Sequence, residues 1–403
     1  MAYPTAIGCG CLLGAGGAAH LHAAEWSMQP LFSWSSDFDD NRSLLPGTQG
    51  SEEAVLSADV KLQRALEDLQ LSLEPRVDVR RYSNSIYGPG NDRSLAAALS
   101  WLGERTQLTL NASVADQNTL GTELLETGII DVNTRRALKT VNGELDLSKT
   151  EQHLFFTQLS YLGSSYTGNQ LAEEQLPGYR YGSAASGERF TLTEHYTFSV
   201  SAFGDLLHSQ RAGDSSHEVG LQTEISYKHS ELTSFDLQIG ESKRSLAGAT
   251  YYVIYPGQTV LTQLHVPGSS GAGTNVAVSA THNFEVTSVS FSYNRSLVPY
   301  GNGLLVERQQ ATASAKRTLN EHVDVDLTVL RTQNSDSTVR AGLDRRFYQN
   351  AVAGLNWKLG ETWTLRSEAG TSWSPPLNSD ITVHEWRAAL TMTWKPNPTS
   401  MSR

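Results

Sequence analysis

Residues 383–394 read VHEWRAALTMTW. His384, Trp386, Ala388, Leu390, Met392 and Trp394 share one parity, and Glu385, Arg387, Ala389, Thr391 and Thr393 share the other. Successive side chains of an extended chain point to opposite faces, so this segment has one mostly apolar face with an indole near each end. About 9–11 tilted residues cross a hydrocarbon layer. Strict alternation over that span, bracketed by tryptophan, predicts a strand of a transmembrane β-barrel rather than the edge of a soluble sheet. Its place near the end of the chain predicts the closing strand.

Working outward, the chain from Glu25 onward repeats this pattern. Eight tight connections each carry a glutamate: Glu67, Glu104, Glu151, Glu194, Glu231, Glu285, Glu321 and Glu361. Between them lie nine longer polar links, near 35–50, 82–93, 117–135, 166–185, 209–216, 246–272, 297–303, 334–339 and 374–382. Short and long connections alternate and join 18 strands, or 16 if the segments at 26–34 (which holds Pro30) and 185–193 are not strands. The expected fold is therefore all-β, an antiparallel up-and-down barrel over 25–394. Both termini lie on the short-turn side, and 395–403 form a short periplasmic tail.

Composition agrees. The 403 residues are 39% hydrophobic, and after the N-terminus no apolar run reaches the length of a membrane helix. A net charge of −11 argues against a nucleic-acid partner. Residues 1–24, small and apolar and ending in Ala-Ala, read as an export signal peptide, although no Lys or Arg precedes Arg42. Cys9 and Cys11 both fall inside it, so the exported chain would have no cysteine chemistry. All eight tryptophans (Trp26, Trp34, Trp101, Trp357, Trp363, Trp373, Trp386 and Trp394) sit on the apolar parity and at strand ends, as girdle residues at the two membrane interfaces would.

The last strand resembles the assembly signal of Gram-negative outer-membrane proteins, with Arg387, Ala389, Met392 and Trp394 at the marked positions. It departs from that pattern in having Ala389 where glycine is usual and nine residues after the aromatic. The strand count resembles the 18-stranded substrate-selective porins and the alginate-type polysaccharide exporters. These resemblances imply a Gram-negative outer-membrane location, with outer-membrane lipid and lipopolysaccharide around the barrel. They also imply insertion by the barrel assembly machinery, and a hydrophilic solute or a polysaccharide as cargo. An exporter would add periplasmic partners.

The inward face is where function is written in a pore. Asp59 and Lys61 on one strand, and Glu74, Arg76, Asp78 and Arg80 on the next, are expected inward, with 59 opposite 76 and 61 opposite 74 in pairs of opposite charge. Arg340, Asp344, Arg346, Arg366, Glu368, Glu385 and Arg387 form a second inward sector, which closure brings beside the first. Arg308, Asp324 and Asp326 are further pore-lining candidates among inward positions that lean acidic, including Glu144, Asp146, Glu218, Glu224 and Asp236. The mixed signs speak against a pure arginine track. The link 246–272, with Tyr251, Tyr252 and Tyr255, is a candidate constriction, and 117–135 is a second. No G-x-S-x-G, H-E-x-x-H or phosphate loop occurs, so no enzyme, cofactor or metal is expected. The expected function is a channel for hydrophilic, charged solutes. The alternatives are an export pore and a structural or adhesive barrel plugged by its own loops.

Overall fold

The computed structural model describes residues 25–42, 44, 50–84, 90–119, 134–168, 176–210, 215–253, 262–301, 303–335, 346–375 and 382–402. Residues 1–24, Arg340, Asp344, Tyr255 and the apolar part of the 117–135 link lie outside them.

The strands are β1 (Glu25–Asp39), β2 (Ser51–Ala65), β3 (Leu69–Tyr82), β4 (Gly90–Leu102), β5 (Thr106–Asn118), β6 (Arg135–Ser148) and β7 (His153–Thr167). Then come β8 (Tyr179–Thr191), β9 (Tyr196–Ser209), β10 (Ser216–Ser230), β11 (Thr233–Leu246), β12 (Ala249–Val253), β13 (Thr262–Val266) and β14 (Ser269–Asn283). The last are β15 (Thr287–Pro299), β16 (Leu305–Asn320), β17 (Val323–Ser335), β18 (Arg346–Lys358), β19 (Trp363–Ser374), β20 (Val383–Trp394) and β21 (Thr399–Ser402). β12 and β13 form a hairpin of their own. The others make one antiparallel sheet, and it closes where β1 pairs with β20 from Phe32↔Trp394 to Asp39↔Arg387. The result is a closed barrel of 18 strands, extended at the seam by β21. Closure removes every sheet edge, the condition for crossing lipid with strands.

Parity sorts the side chains. Leu56, Leu159, Leu221 and Trp386 point outward and are exposed, while their sequence neighbours Ser57, Ser160, Gln222 and Glu385 point inward. The outer face supplies the apolar belt and the inner face the polar wall.

Several boundaries differ from expectation. β1 runs to Asp39 rather than 34, because its acidic end is neutralised from neighbouring elements, and this leaves Trp34 inside the strand rather than at its end. β8 begins at Tyr179 rather than 185, its start (Tyr179–Ala184) continuing the ladder to Ser164 and Ser209. The link 246–272 is partly ordered as β12 and β13, and β14 starts at Ser269.

Pro30 also has a consistent place. β1 pairs with β20 from Phe32 and with β21 over Glu25–Met28, so the seam gap falls at Gln29–Leu31. Proline has no N–H to donate there. Opposite the gap the chain reads Lys395-Pro396-Asn397-Pro398, and Gln29 Nε2 bridges it by donating to the Pro396 carbonyl at 3.2 Å. Residues 399–402 are thus an extension of the barrel wall, not a loose tail.

Candidate functional site

A ladder of ion pairs climbs the inner wall across the seam. Near the short-turn end, Arg366 of β19 joins Asp326 of β17 at 2.8 Å and Glu368 at 2.5 Å. Arg387 of β20 sits 3.8 Å from Glu368 and 2.7 Å from Asp37 of β1. Arg42, in the link after β1, gathers Asp37 at 3.6 Å, Asp39 at 2.6 Å and Glu53 at 2.5 Å. Burial works against the charge of Arg42, but Glu53 and Asp39 outweigh it and hold the guanidinium pKa above its usual value. Near the long-loop end, Arg80 of β3 joins Glu53 at 2.9 Å and Asp92 of β4 at 2.8 Å.

On this ladder the two signs are not equally exposed. The side chains of Arg76 and Arg387 are 47% and 45% exposed, whereas Asp78, Asp37 and Glu53 are 11%, 9% and 5% exposed. The carboxylates lie against the wall and the guanidiniums cover them. At these positions of the seam, water in the lumen therefore meets arginine first, while Glu74, on the same face of β3, stays exposed beside them.

Of the expected cross-strand pairs, the register is as read but the partners differ. Asp59 stands opposite Arg76, and the ladder keeps the same register through Leu62↔Leu73, which sets Lys61 opposite Glu74. Arg76 turns to Asp78 on its own strand instead, at 2.9 Å, because a side chain two residues along shares its face. Asp324 takes a hydrogen bond from Thr318 at 2.8 Å and an ion pair with Lys316 at 3.6 Å. Glu385 is buried opposite Ser372. The Arg346 backbone pairs with Asn334. Arg308, also buried, donates to Asn334 at 2.8 Å. Asp37, Arg42, Glu53 and Asp92 fall in the polar links at 35–50 and 82–93 or at strand ends, where the sequence shows no alternation to assign them a face.

The second feature is the β15–β16 hairpin. Leu297 and Leu305 share the outward parity of Phe291 and Ala313, yet both are 3% exposed. They pack with Leu162, Tyr181, Leu207 and Leu246, which point inward from β7, β8, β9 and β11. The tip of the hairpin has bent into the barrel, laying its outer face on the inner wall. It can bend because the β14–β15 ladder stops at Val276↔Arg295. The turn passes so close to the wall that a Cβ on Gly303 would lie 2.3 Å from Ser209 Oγ, and the residue has φ of +79°. Glu307 pins the tip, receiving Arg295 at 3.0 Å from its own hairpin and Arg244 at 3.2 Å from β11. Arg244 also holds the fully buried Glu218 at 3.0 Å.

This hairpin reaches into the lumen; of the expected constriction links, Tyr255 and the apolar part of 117–135 lie outside the described residues. Tyr251↔Leu264 and Tyr252↔Gln263 are register pairs of the separate β12–β13 hairpin.

On the outer face, aromatic rings gather at the short-turn end. Trp394 packs with Phe32 at 5.7 Å and Trp363 at 6.3 Å between ring centroids. Tyr196 stacks on Tyr227 at 4.6 Å. Trp26 lies under the Arg64 guanidinium, Trp101 donates to Asp68 at 3.3 Å, and Trp357 is exposed. Trp373 and Trp386 mark the other end of their strands.

No family model matches the sequence. No curated protein matches it either. Among solved structures, Pseudomonas aeruginosa OccK8 (OprE) is similar at TM-score 0.48 and 8% identity, over 93% of this chain and 98% of that one. Acinetobacter baumannii OccAB1 is similar at TM-score 0.48 and 11% identity, over 92% and 97%. The ferric-catecholate import receptor Fiu of E. coli K12 is similar at TM-score 0.42 and 7% identity, over 94% and 82%. At such values no activity carries over, and function is argued from this chain's own geometry.

Proposed function

We propose that the chain is an outer-membrane channel of a Gram-negative bacterium through which hydrophilic, charged solutes diffuse. The closed wall, the apolar outer belt and the aromatic rings at one rim support the membrane setting. The observation that carries the channel reading is the exposure of Arg76 and Arg387, inward-facing yet 47% and 45% accessible. Charged groups that open from an inner wall need a water-filled lumen on the seam side. The hairpin fills the opposite side, so the passage is off-centre and runs past the ladder.

Arginine presented over sheathed carboxylate favours anions at the wall, since charged rims select by sign. Hydrated anions would be drawn along Arg366, Arg387, Arg80 and Arg76. Single-channel recording of the refolded protein in a planar bilayer, with reversal potential under a salt gradient, tests this reading. Steady conductance with anion preference is expected. A folded, inserted barrel that stays silent would instead support the second reading, a lumen closed by the inward hairpin, which the burial of Leu297 and Leu305 favours.

A further inference from the structure

We infer that the outer wall of β5 to β10 carries a docking site for a phosphorylated lipid, its phosphate held by Lys139 and Arg180 and an acyl chain lying in the trough beneath them. The inference rests on the membrane reading above.

Registers place Lys139, Gly163, Arg180 and His208 in one row across β6, β7, β8 and β9. All belong to the outward parity of Val141, Tyr161 and Leu206, which are exposed. Lys139 and Arg180 are two strands apart, about 10 Å, with only a glycine between them. The Tyr161 hydroxyl leans into that gap, 2.9 Å from where a Gly163 Cβ would stand. Two cations and a phenol thus surround an open spot on the wall. Lys139 and Arg180 are exposed and form no ion pair with a described residue.

Depth on the barrel identifies what they face. The aromatic row at the short-turn end of this sector is His153, Phe190 and Phe198. Ten residues of β7 separate His153 from Gly163, which at about 3.4 Å per residue and a tilt near 40° is about 26 Å. That is the height of an apolar belt, about 25 Å. The basic row therefore lies at the head-group level of the leaflet on the long-loop side, where unpaired cations meet lipid phosphate.

Directly below is a depression of about 460 Å³. Gly143, Gly182 and Gly204 are part of its floor, and Leu110, Leu159, Leu206 and Val219 stand around it. A cation pair above an apolar channel fits a phosphate joined to an acyl chain, and neither free phosphate nor an uncharged lipid would use both parts.

The purified full-length barrel in detergent would be incubated with bisphosphorylated lipid A, then stripped and weighed by native mass spectrometry. One retained lipid per chain is expected. The pair Lys139→Ala and Arg180→Ala should lower retention at least about tenfold, the scale of losing charge-assisted bonds. The pair Gly182→Leu and Gly204→Leu should do the same by filling the trough. Their new Cβ atoms would make contacts no closer than 3.5 Å, so the wall accepts them. Equal retention of diacylglycerol, which has acyl chains and no phosphate, displacement by inorganic phosphate alone, or a lipid-free dimer mass would each overturn the site. Insertion into vesicles, followed by heat-dependent gel migration, reports separately on the membrane reading and on the folding of each variant.

Discussion

Arg366 of β19 reaches over β18 to Asp326 of β17, with Nη1 2.8 Å from Oδ1. The crossing is open because the intervening residue in the row is Gly354, which stands opposite both Asp326 and Glu368. A Cβ at Gly354 would lie 2.7 Å from Arg366 Nη2 and 2.9 Å from both Asp326 oxygens. The same device serves Arg244, which lies across Gly273 of β14. Long cations thus lie flat on the wall over residues without side chains. The ladder gains reach and the lumen keeps its width.

Gly354→Val should therefore leave the barrel foldable while driving Arg366 off Asp326. Overpacking of this kind costs about 1–3 kcal/mol. The loss should appear as a lowered urea midpoint for the refolded protein, smaller for Gly354→Ala. Unchanged midpoints for both would show that the crossing is not held as described.

Charge reversal tests the accessible face of the ladder. Arg387→Glu places a third carboxylate beside Glu368 and Asp37, which Arg387 now covers. A local potential change of about one kT alters local ion concentration about threefold. The anion-to-cation permeability ratio should fall by that order, read from reversal potentials. Asp37→Asn, whose carboxylate is sheathed, should move the ratio much less. Equal effects from the two would refute the arginine-first reading of the wall.

The barrel and its strand order were legible because alternation in β20 and the glutamate-bearing turns are local signals. The parity of every tryptophan followed from the same pattern. The upper part of the ladder was not legible for a physical reason. Past the apolar belt, outward residues such as Ser36 and Ala54 no longer contrast with inward Asp37 and Glu53, so strand reads as polar link. The sign of the wall was hidden too, since burial decides which member of an ion pair meets water. The inward hairpin did leave a trace. Leu297, Val298, Tyr300, Leu304, Leu305 and Val306 are apolar on both parities around a turn, more than a solvated loop requires.

Glu307 should control that hairpin. It accepts from Arg295 at 3.0 Å and from Arg244 at 3.2 Å, and the Arg244 side chain is 6% exposed beside the fully buried Glu218. Glu307→Gln keeps the shape but loosens the tip, and should raise conductance noise or mean conductance. Arg244→Met is harsher, since it leaves Glu218 buried without its cation, at a cost of about 3–5 kcal/mol. Current traces indistinguishable from the parent protein for Glu307→Gln would mean that the apolar packing of Leu297 and Leu305 alone fixes the tip.

Below Pro30, among the described residues, the wall that β1 finds on its β20 side is β21, paired from Glu25↔Ser402 to Met28↔Thr399. Ending the chain at Trp394 would remove those partners and the bond from Gln29 to Pro396, while the β1–β20 ladder above stays whole. Residues 25–28 would keep β2 on one side only, with unpaired backbone groups at the short-turn rim. The truncated barrel should still close and conduct, because Phe32↔Trp394 through Asp39↔Arg387 are retained. Amide exchange at Ser27 and Met28 should quicken by an order of magnitude or more, as fraying ends do, while exchange at Trp34 and Asp37 stays slow. Fast exchange along all of β1 would instead mean that the four-residue extension is what holds the seam shut.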